Sequence, residues 1–207
     1  AITLLDGSVG QELVKQYGKK PTPLWSTVVM LRDPNMVSNI HSAYFEAGAT
    51  VATTNSYTIL RDRLKHFKLE HEVHNLWNSS GAAACKARDK YGTGRVAGSI
   101  GPLIASYRPD ICPPVEEASS IYKEKVESIA PMVDILLVET VCSLKQAKGV
   151  LAATDNSNKP VWISFSVDDN DGTKLRSGEN LEDVEAVINN HFVEAVLINC
   201  SPPEVVG

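Results

Sequence analysis

A parallel α/β fold is predicted by three features of this 207-residue sequence. Short apolar, β-rich runs recur at 2–5, 50–54, 95–99, 134–139, 160–167 and 195–199. Most are continuous rather than alternating, as in Ile135-Leu136-Leu137-Val138 and Ala195-Val196-Leu197-Ile198, which suits strands buried on both faces of a parallel sheet. The stretches between them carry helical signals, so strand and helix alternate along the whole chain.

Each helix has its own start signal. Directly after the first run, Ser8-Val9-Gly10-Gln11 reads as a capping box. Asp33-Pro34 supplies an N-cap and a proline at the first helical position, with Val37, Ile40 and Tyr44 on one face beyond it. Ser143 caps a helix carrying Leu144, Ala147, Val150 and Leu151, and Asn180 precedes Leu181, Val184, Val187 and Ile188 at helical spacing. The Pro-rich stretch 102–114 follows the third run and reads as a long βα loop, not a hinge. Nothing resembles an interdomain linker, a repeat or a low-complexity tract. Residues 1–207 therefore read as one domain.

Composition narrows the function classes. With 43% hydrophobic and 22% charged residues, the chain is neither disordered, collagenous nor disulfide-stapled. A net charge of -5, from 25 acidic and 20 basic residues, argues against nucleic acid as a partner. No apolar run approaches the ~20 residues needed to cross a bilayer, so no membrane partner is expected. Four sparse cysteines and an opening segment without a signal-peptide pattern predict a cytoplasmic, reduced protein.

Strand–helix units of this kind build either a doubly wound open sheet or a (β/α)8 barrel. The first turn, Asp6-Gly7-Ser8-Val9-Gly10, lacks the spacing of a dinucleotide fingerprint, and no Gly-Lys-Ser/Thr follows to make a P-loop. Residues with functional chemistry sit instead at or just past the ends of several different runs: Asp6, Asn55, Ser99, Glu139 and Cys200. Such scatter is what a barrel mouth produces. The fold class expected is a TIM barrel, with about six of its eight βα units present.

Each candidate has a bland reading beside the functional one. Asp6 can simply shape a turn with Gly7, and Glu139 can cap the segment that follows it. As a pair, they could also serve a glycosidase as acid and base. Cys200 is either a small buried thiol or, where its strand opens into Ser201-Pro202-Pro203, a ligand or nucleophile. Cys142 and Cys112 fall near the same end, whereas Cys85 reads as a helix core position. No Cys-x-x-Cys spacing supports a self-contained structural zinc site. His71 and His74 lie in a strongly charged stretch and read as a solvated face. The run Asp168-Asp169-Asn170-Asp171-Gly172 hints at a calcium loop, but Thr173 occupies the position that needs glycine. Gly98 and Gly101 make either a tight strand exit or a close backbone approach to a ligand.

Taken in order, a set of segments is more specific than any one of them. They are Leu5-Asp6-Gly7-Ser8, Leu24-Trp25-Ser26, Gly48-Ala49 with Thr54-Asn55-Ser56-Tyr57, Gly98-Ser99-Ile100-Gly101-Pro102, Val138-Glu139-Thr140, Ser177-Gly178-Glu179 and Asn199-Cys200-Ser201-Pro202. Together, from residue 4 to 203, they resemble the homocysteine S-methyltransferase family, zinc-dependent (β/α)8 barrels that convert homocysteine to methionine. Leu24-Trp25-Ser26 looks more like the branch using S-methylmethionine or S-adenosylmethionine than the betaine-using branch.

The resemblance implies roles position by position. Cys200 matches the family's first zinc-binding cysteine, and Glu139 the acid that holds the amino group of homocysteine. Asp6 and Gly7 match the turn lining the amino-acid pocket, with Asn55 and Ser99 on loops facing the same mouth. The family's other two zinc cysteines come from a Gly-Gly-Cys-Cys motif that this sequence does not contain, and neither Cys112 nor Cys142 sits at a matching position. The remaining ligands are expected downstream of Gly207. The implied partners are small molecules, homocysteine and a methyl donor, and the implied cofactor is Zn2+. The alternatives are a metal-independent barrel hydrolase using Asp6 and Glu139, and an inactive fragment acting as a binding protein.

Overall fold

The computed structural model describes residues 2–18, 24 and 26–206. Trp25, the centre of the Leu24-Trp25-Ser26 segment, lies outside the described residues. The chain forms two compact units, residues 1–99 with 128–135 and residues 100–127 with 136–207.

In the first unit, helices α1 (Val9–Tyr17), α2 (Thr27–Arg32) and α3 (Pro34–Glu46) precede strand β1 (Val51–Thr53). Short helix α4 (Arg61–Lys65) and long helix α5 (Val73–Tyr91) then lead to β2 (Arg95–Ile100). The predicted caps are in place. Ser8 Oγ accepts from Gln11 N at 3.3 Å, and Asp33 Oδ1 accepts from Met36 N at 3.2 Å. Each satisfies a first-turn N–H that has no partner within its helix.

The first predicted run does not form a strand. It is reduced to a parallel bridge, Leu5 with Val51, and Leu4 is exposed. Thr50 holds the Leu4 backbone with both its N–H, which donates to Leu4 O at 2.7 Å, and its hydroxyl, which donates to Leu4 O and accepts from Leu4 N, both at 3.1 Å. From Val51 onward, β1 pairs in parallel with β2, Val51 opposite Arg95. Val51, Ala52, Val96 and Ala97 are all buried, in keeping with a strand pair covered on both faces. Gly98 lies within β2 rather than in a strand-exit turn. A Cβ there would stand 3.0 Å from Ile129 Cδ1 and 3.2 Å from Val133 Cγ2, so glycine lets these two side chains pack closely on the strand.

The second unit holds helix α6 (Val115–Ile129) up to Glu127, then β3 (Ile135–Val141), α7 (Leu144–Thr154), β4 (Val161–Phe165), α8 (Val184–Ile188) and β5 (Val193–Ile198). Strands β3, β4 and β5 are consecutive parallel neighbours. Ser143 caps α7 through Gln146 N at 3.1 Å, as the sequence predicts. The helix expected after Asn180 opens as a 3-10 turn, Leu181–Asp183, before α8. The 102–114 stretch is the expected loop, interrupted by a 3-10 turn at Pro109–Ile111. β5 alternates, with Phe192, Val196 and Ile198 exposed beside half-buried Val193 and Leu197. β4, with every residue buried, is the sheet's interior strand here.

Candidate functional site

Each unit carries a polar cluster where its parallel strands end. In the first, Asp6 is not a simple turn-former. Its Oδ2 accepts the backbone N–H of Thr53 at 2.7 Å, tying the segment before α1 to the end of β1. The same oxygen lies 3.7 Å from His41 Nδ1, and both side chains are almost wholly buried, at 1% and 0% exposure. Neither nitrogen of the His41 ring has a hydrogen-bond partner among the described residues. His41 comes from the buried face of α3, and its place on an apolar helical stripe gave the sequence no reason to single it out. Gly7 follows Asp6 with Tyr44 against it: a Cβ would stand 2.7 Å from the Tyr44 hydroxyl. Burial, and then the negative charges of Glu12 and Asp6, push the Tyr44 phenol above its ordinary pKa, so it stays a neutral donor.

Asn55 lies just past β1. Ser26 Oγ donates to its Oδ1 at 2.7 Å, which turns the buried Nδ2 away, and that nitrogen has no partner among the described residues. Ser99, fully buried in β2, is held by its neighbours: its N–H donates to Thr54 Oγ1 at 2.9 Å, and its carbonyl accepts from Ser56 Oγ at 2.7 Å. The structure thus joins Thr54, Ser56 and Ser99 in one hydroxyl network that locks the ends of β1 and β2 together.

In the second unit the decisive feature is a bulge. Val138 pairs with Ile163 and Val141 with Phe165, so Glu139 and Thr140 together oppose the single residue Ser164. Glu139 is therefore inside β3, which runs on to Val141, rather than at its end. Thr140 adopts φ 62°, the left-handed region that a β-branched residue avoids, at a cost of about 1–3 kcal/mol. Bulges of this kind re-aim side chains next to sites of chemistry.

Cys200, exposed and just past β5, also has positive φ, 52°. The Asn199 side chain bridges it to Thr140: Oδ1 accepts from Thr140 N at 3.0 Å, and Nδ2 donates to Thr140 Oγ1 at 3.1 Å. Asn199 Nδ2 and Thr140 Oγ1 each lie 3.6 Å from Cys200 Sγ, as donors to sulfur. The Cys200 carbonyl is fixed too, by Ser166 Oγ at 3.1 Å and Arg176 Nη2 at 3.0 Å. Arg176 also pairs with Asp169 Oδ1 and lies over the Tyr107 ring. Glu179 belongs to the scaffold, since its Oε2 accepts from Leu144 N at 2.9 Å, the first residue of α7.

The other thiols are engaged differently. Cys142 is fully buried with Sγ 3.3 Å from Thr140 O, Cys112 is buried near the Pro113 carbonyl, and Cys85 reaches Met132 O. Burial pushes all three above the ordinary thiol pKa, only partly opposed by Arg176 at Cys142, Lys145 at Cys112 and Arg88 at Cys85. They therefore stay protonated near neutral pH and react only as the pH climbs toward those raised values. With chelator-treated protein at about pH 7.5, iodoacetamide is expected to alkylate Cys200 first, read by peptide mass spectrometry. Equally fast labelling of Cys142 would contradict the burial that separates them.

Two motifs discounted from the sequence have ordinary surroundings. His71 is exposed on a 3-10 turn and pairs with Glu72, while His74 stands edge-on to Trp77. In the Asp168 loop, Asp168 Oδ1 accepts from Asn170 N and Asp171 N, and Asp171 Oδ1 from Thr173 N, so the aspartates shape turns. Among the described residues no group of three His, Cys, Asp or Glu side chains is placed to hold a metal. Cys112 and Cys142 do not join Cys200 in one. A complete zinc centre does not fit these residues alone; what they offer is one exposed thiol at a strand end.

Parallel strands joined by helices, with a half-buried acid in the bulge of β3 and an exposed thiol just past β5, make this an α/β protein whose chemistry-bearing side chains lie toward the C-terminal ends of its strands. The homocysteine S-methyltransferase family model matches residues 3–207, and the chain belongs to that family. It is 31% identical to homocysteine S-methyltransferase of Escherichia coli (strain K12) over 216 residues, covering 96% of this chain and 69% of the relative. Homocysteine S-methyltransferase 1 of Brassica oleracea var. italica is 28% identical over 229 residues, covering 97% and 69%. The metallated form of the homocysteine methyltransferase MmuM from Escherichia coli superposes with a TM-score of 0.87 at 28% identity, over 96% of this chain and 74% of that one.

Proposed function

We propose that this protein transfers a methyl group from a sulfonium donor, S-methylmethionine or S-adenosylmethionine, to the thiol of homocysteine. The family match over residues 3–207 is the observation that carries the reading. In the reaction a bond forms between the homocysteine sulfur and the methyl carbon. The donor's S–CH3 bond breaks, its electron pair neutralises the sulfonium, and the thiol proton is released. Homocysteine so methylated is methionine.

Within that chemistry Glu139 is assigned the substrate ammonium, through a charge-assisted hydrogen bond that orients the sulfur. Its place in a bulge supports the role, because bulges are over-represented beside sites of chemistry. Asp6, Gly7, Asn55 and Ser99 are assigned to the amino-acid pocket, and Asn55 brings to it a buried amide N–H with no partner among the described residues. Cys200 is assigned as one ligand of a zinc ion whose other ligands lie outside the residues described. Zinc would lower the pKa of a bound thiol. The architecture in which these roles are placed is a (β/α)8 barrel of which this chain supplies about six units.

The test is direct: purified protein with homocysteine and S-methylmethionine should form methionine stoichiometrically with donor consumed. Absence of methionine with either sulfonium donor, in zinc-loaded protein, would sink the assignment. No observation favours the hydrolase reading, since the Asp6 oxygen nearest His41 is already committed to the Thr53 backbone.

A further inference from the structure

Asn199 links two positions that strand pairing keeps apart. β4 lies between β3 and β5, yet the Asn199 carboxamide at the end of β5 reaches Thr140 in β3 with both its oxygen and its nitrogen. Thr140 meets it from within the bulge, with φ 62°. The same nitrogen, and the Thr140 hydroxyl, are the donors nearest the Cys200 sulfur. Cys200 is itself held in a left-handed conformation, with its carbonyl taken by Ser166 and Arg176. Two strained residues and one amide thus form a closed set, each fixing the others.

We propose that Asn199 is a positioning residue that holds the β3 bulge carrying Glu139 in register with the end of β5, so that the ammonium of an amino-acid substrate meets a fixed Glu139. A carboxamide suits this role because it offers an acceptor to the Thr140 N–H and a two-proton donor to an oxygen and a sulfur at once. Aspartate at the same position keeps only the acceptor. The inference rests on the assignment of Glu139 to the substrate ammonium.

The experiment compares binding of homocysteine with that of 4-mercaptobutanoate, the same thiol acid without the amino group, by titration calorimetry on intact purified enzyme. The ratio of the two dissociation constants reports what the ammonium contributes. Asn199→Ala should reduce that ratio about tenfold, and Asn199→Asp should do so nearly as much, because a lost hydrogen bond to a charged group is of that size. Amide hydrogen exchange at Thr140 should accelerate in Asn199→Ala while Leu136 and Leu137 keep their protection. Glycine tolerates φ 62° without help, so adding Thr140→Gly to Asn199→Ala should recover most of the lost ratio.

A folded Asn199→Ala protein whose ratio matches the wild type overturns the proposal, even if Thr140 exchange accelerates, for then the amide is merely structural. Failure of the double variant to recover the ratio overturns it as well. Should Glu139→Ala leave the wild-type ratio intact, the Glu139 assignment itself is wrong and the register has nothing to set. Those outcomes are distinct.

Discussion

Replacing Glu139 with alanine is expected to raise the homocysteine dissociation constant by about 10- to 150-fold, the equivalent of one hydrogen bond between charged partners. The expectation follows from where the residue sits. In the bulge, Glu139 is half-buried while Leu136, Leu137 and Val138 before it are buried. The sheet thus spends an irregularity on one acid. Calorimetric titration checks the magnitude, and Glu139→Gln should fall between wild type and alanine, because the amide keeps a hydrogen-bond acceptor and loses the charge. The bound metal content should not change. An unaltered dissociation constant, or simultaneous loss of metal, would show that the residue does something else.

The bulge also explains what could and could not be read from the sequence. Continuous apolar runs identify β1 to β4, because a parallel strand covered on both faces leaves few positions for polar residues, whereas the equally continuous run of β5 leaves Val196 and Ile198 exposed. Helix starts were legible at Ser8, Asp33 and Ser143 because capping is a local interaction between side chain and nearby backbone. The first run stops at a single bridge for a reason no local pattern contains: the Leu4 N–H goes to the Thr50 hydroxyl instead of to a strand carbonyl. Glu139 was placed at a strand end, since nothing in Val138-Glu139-Thr140 announces an extra residue opposite Ser164.

The partners of the candidate residues were less legible than the residues themselves. His41 lies on the same helical stripe as Val37, Ile40 and Phe45, and only folding sets it beside Asp6. Thr140 carries no mark of a left-handed backbone; by residue type it argues against one. Asn199 is separated from Thr140 by the whole of α7, β4 and α8, so its two bonds to that residue are a consequence of parallel topology. Motif order found the chemistry-bearing atoms, whereas the contacts orienting them are long-range.

Removing the Cys200 thiol should have the largest effect of all. In protein that carries the remaining zinc ligands, Cys200→Ala is expected to abolish measurable methyl transfer and to reduce bound zinc to background, exceeding the ~10–100-fold loss typical of removing an outer-shell partner of a metal ligand. Stability should change little, because the backbone contacts of Cys200 run through its carbonyl to Ser166 and Arg176, and these survive truncation of the side chain. What truncation removes is the acceptor of the Asn199 and Thr140 donors, both of which keep each other as partners. The thiol is exposed, so no cavity opens in the core. Cys112→Ala is the matched control: it also removes one thiol, but one buried against the Pro113 carbonyl, and activity should stay within about twofold of wild type while stability falls. Metal analysis and thermal unfolding on both variants separate the two effects. Zinc retained at full stoichiometry by a folded Cys200→Ala protein would remove Cys200 from the metal site. The strained backbone at Cys200 and its clamp on Thr140 would then need a different reason to exist.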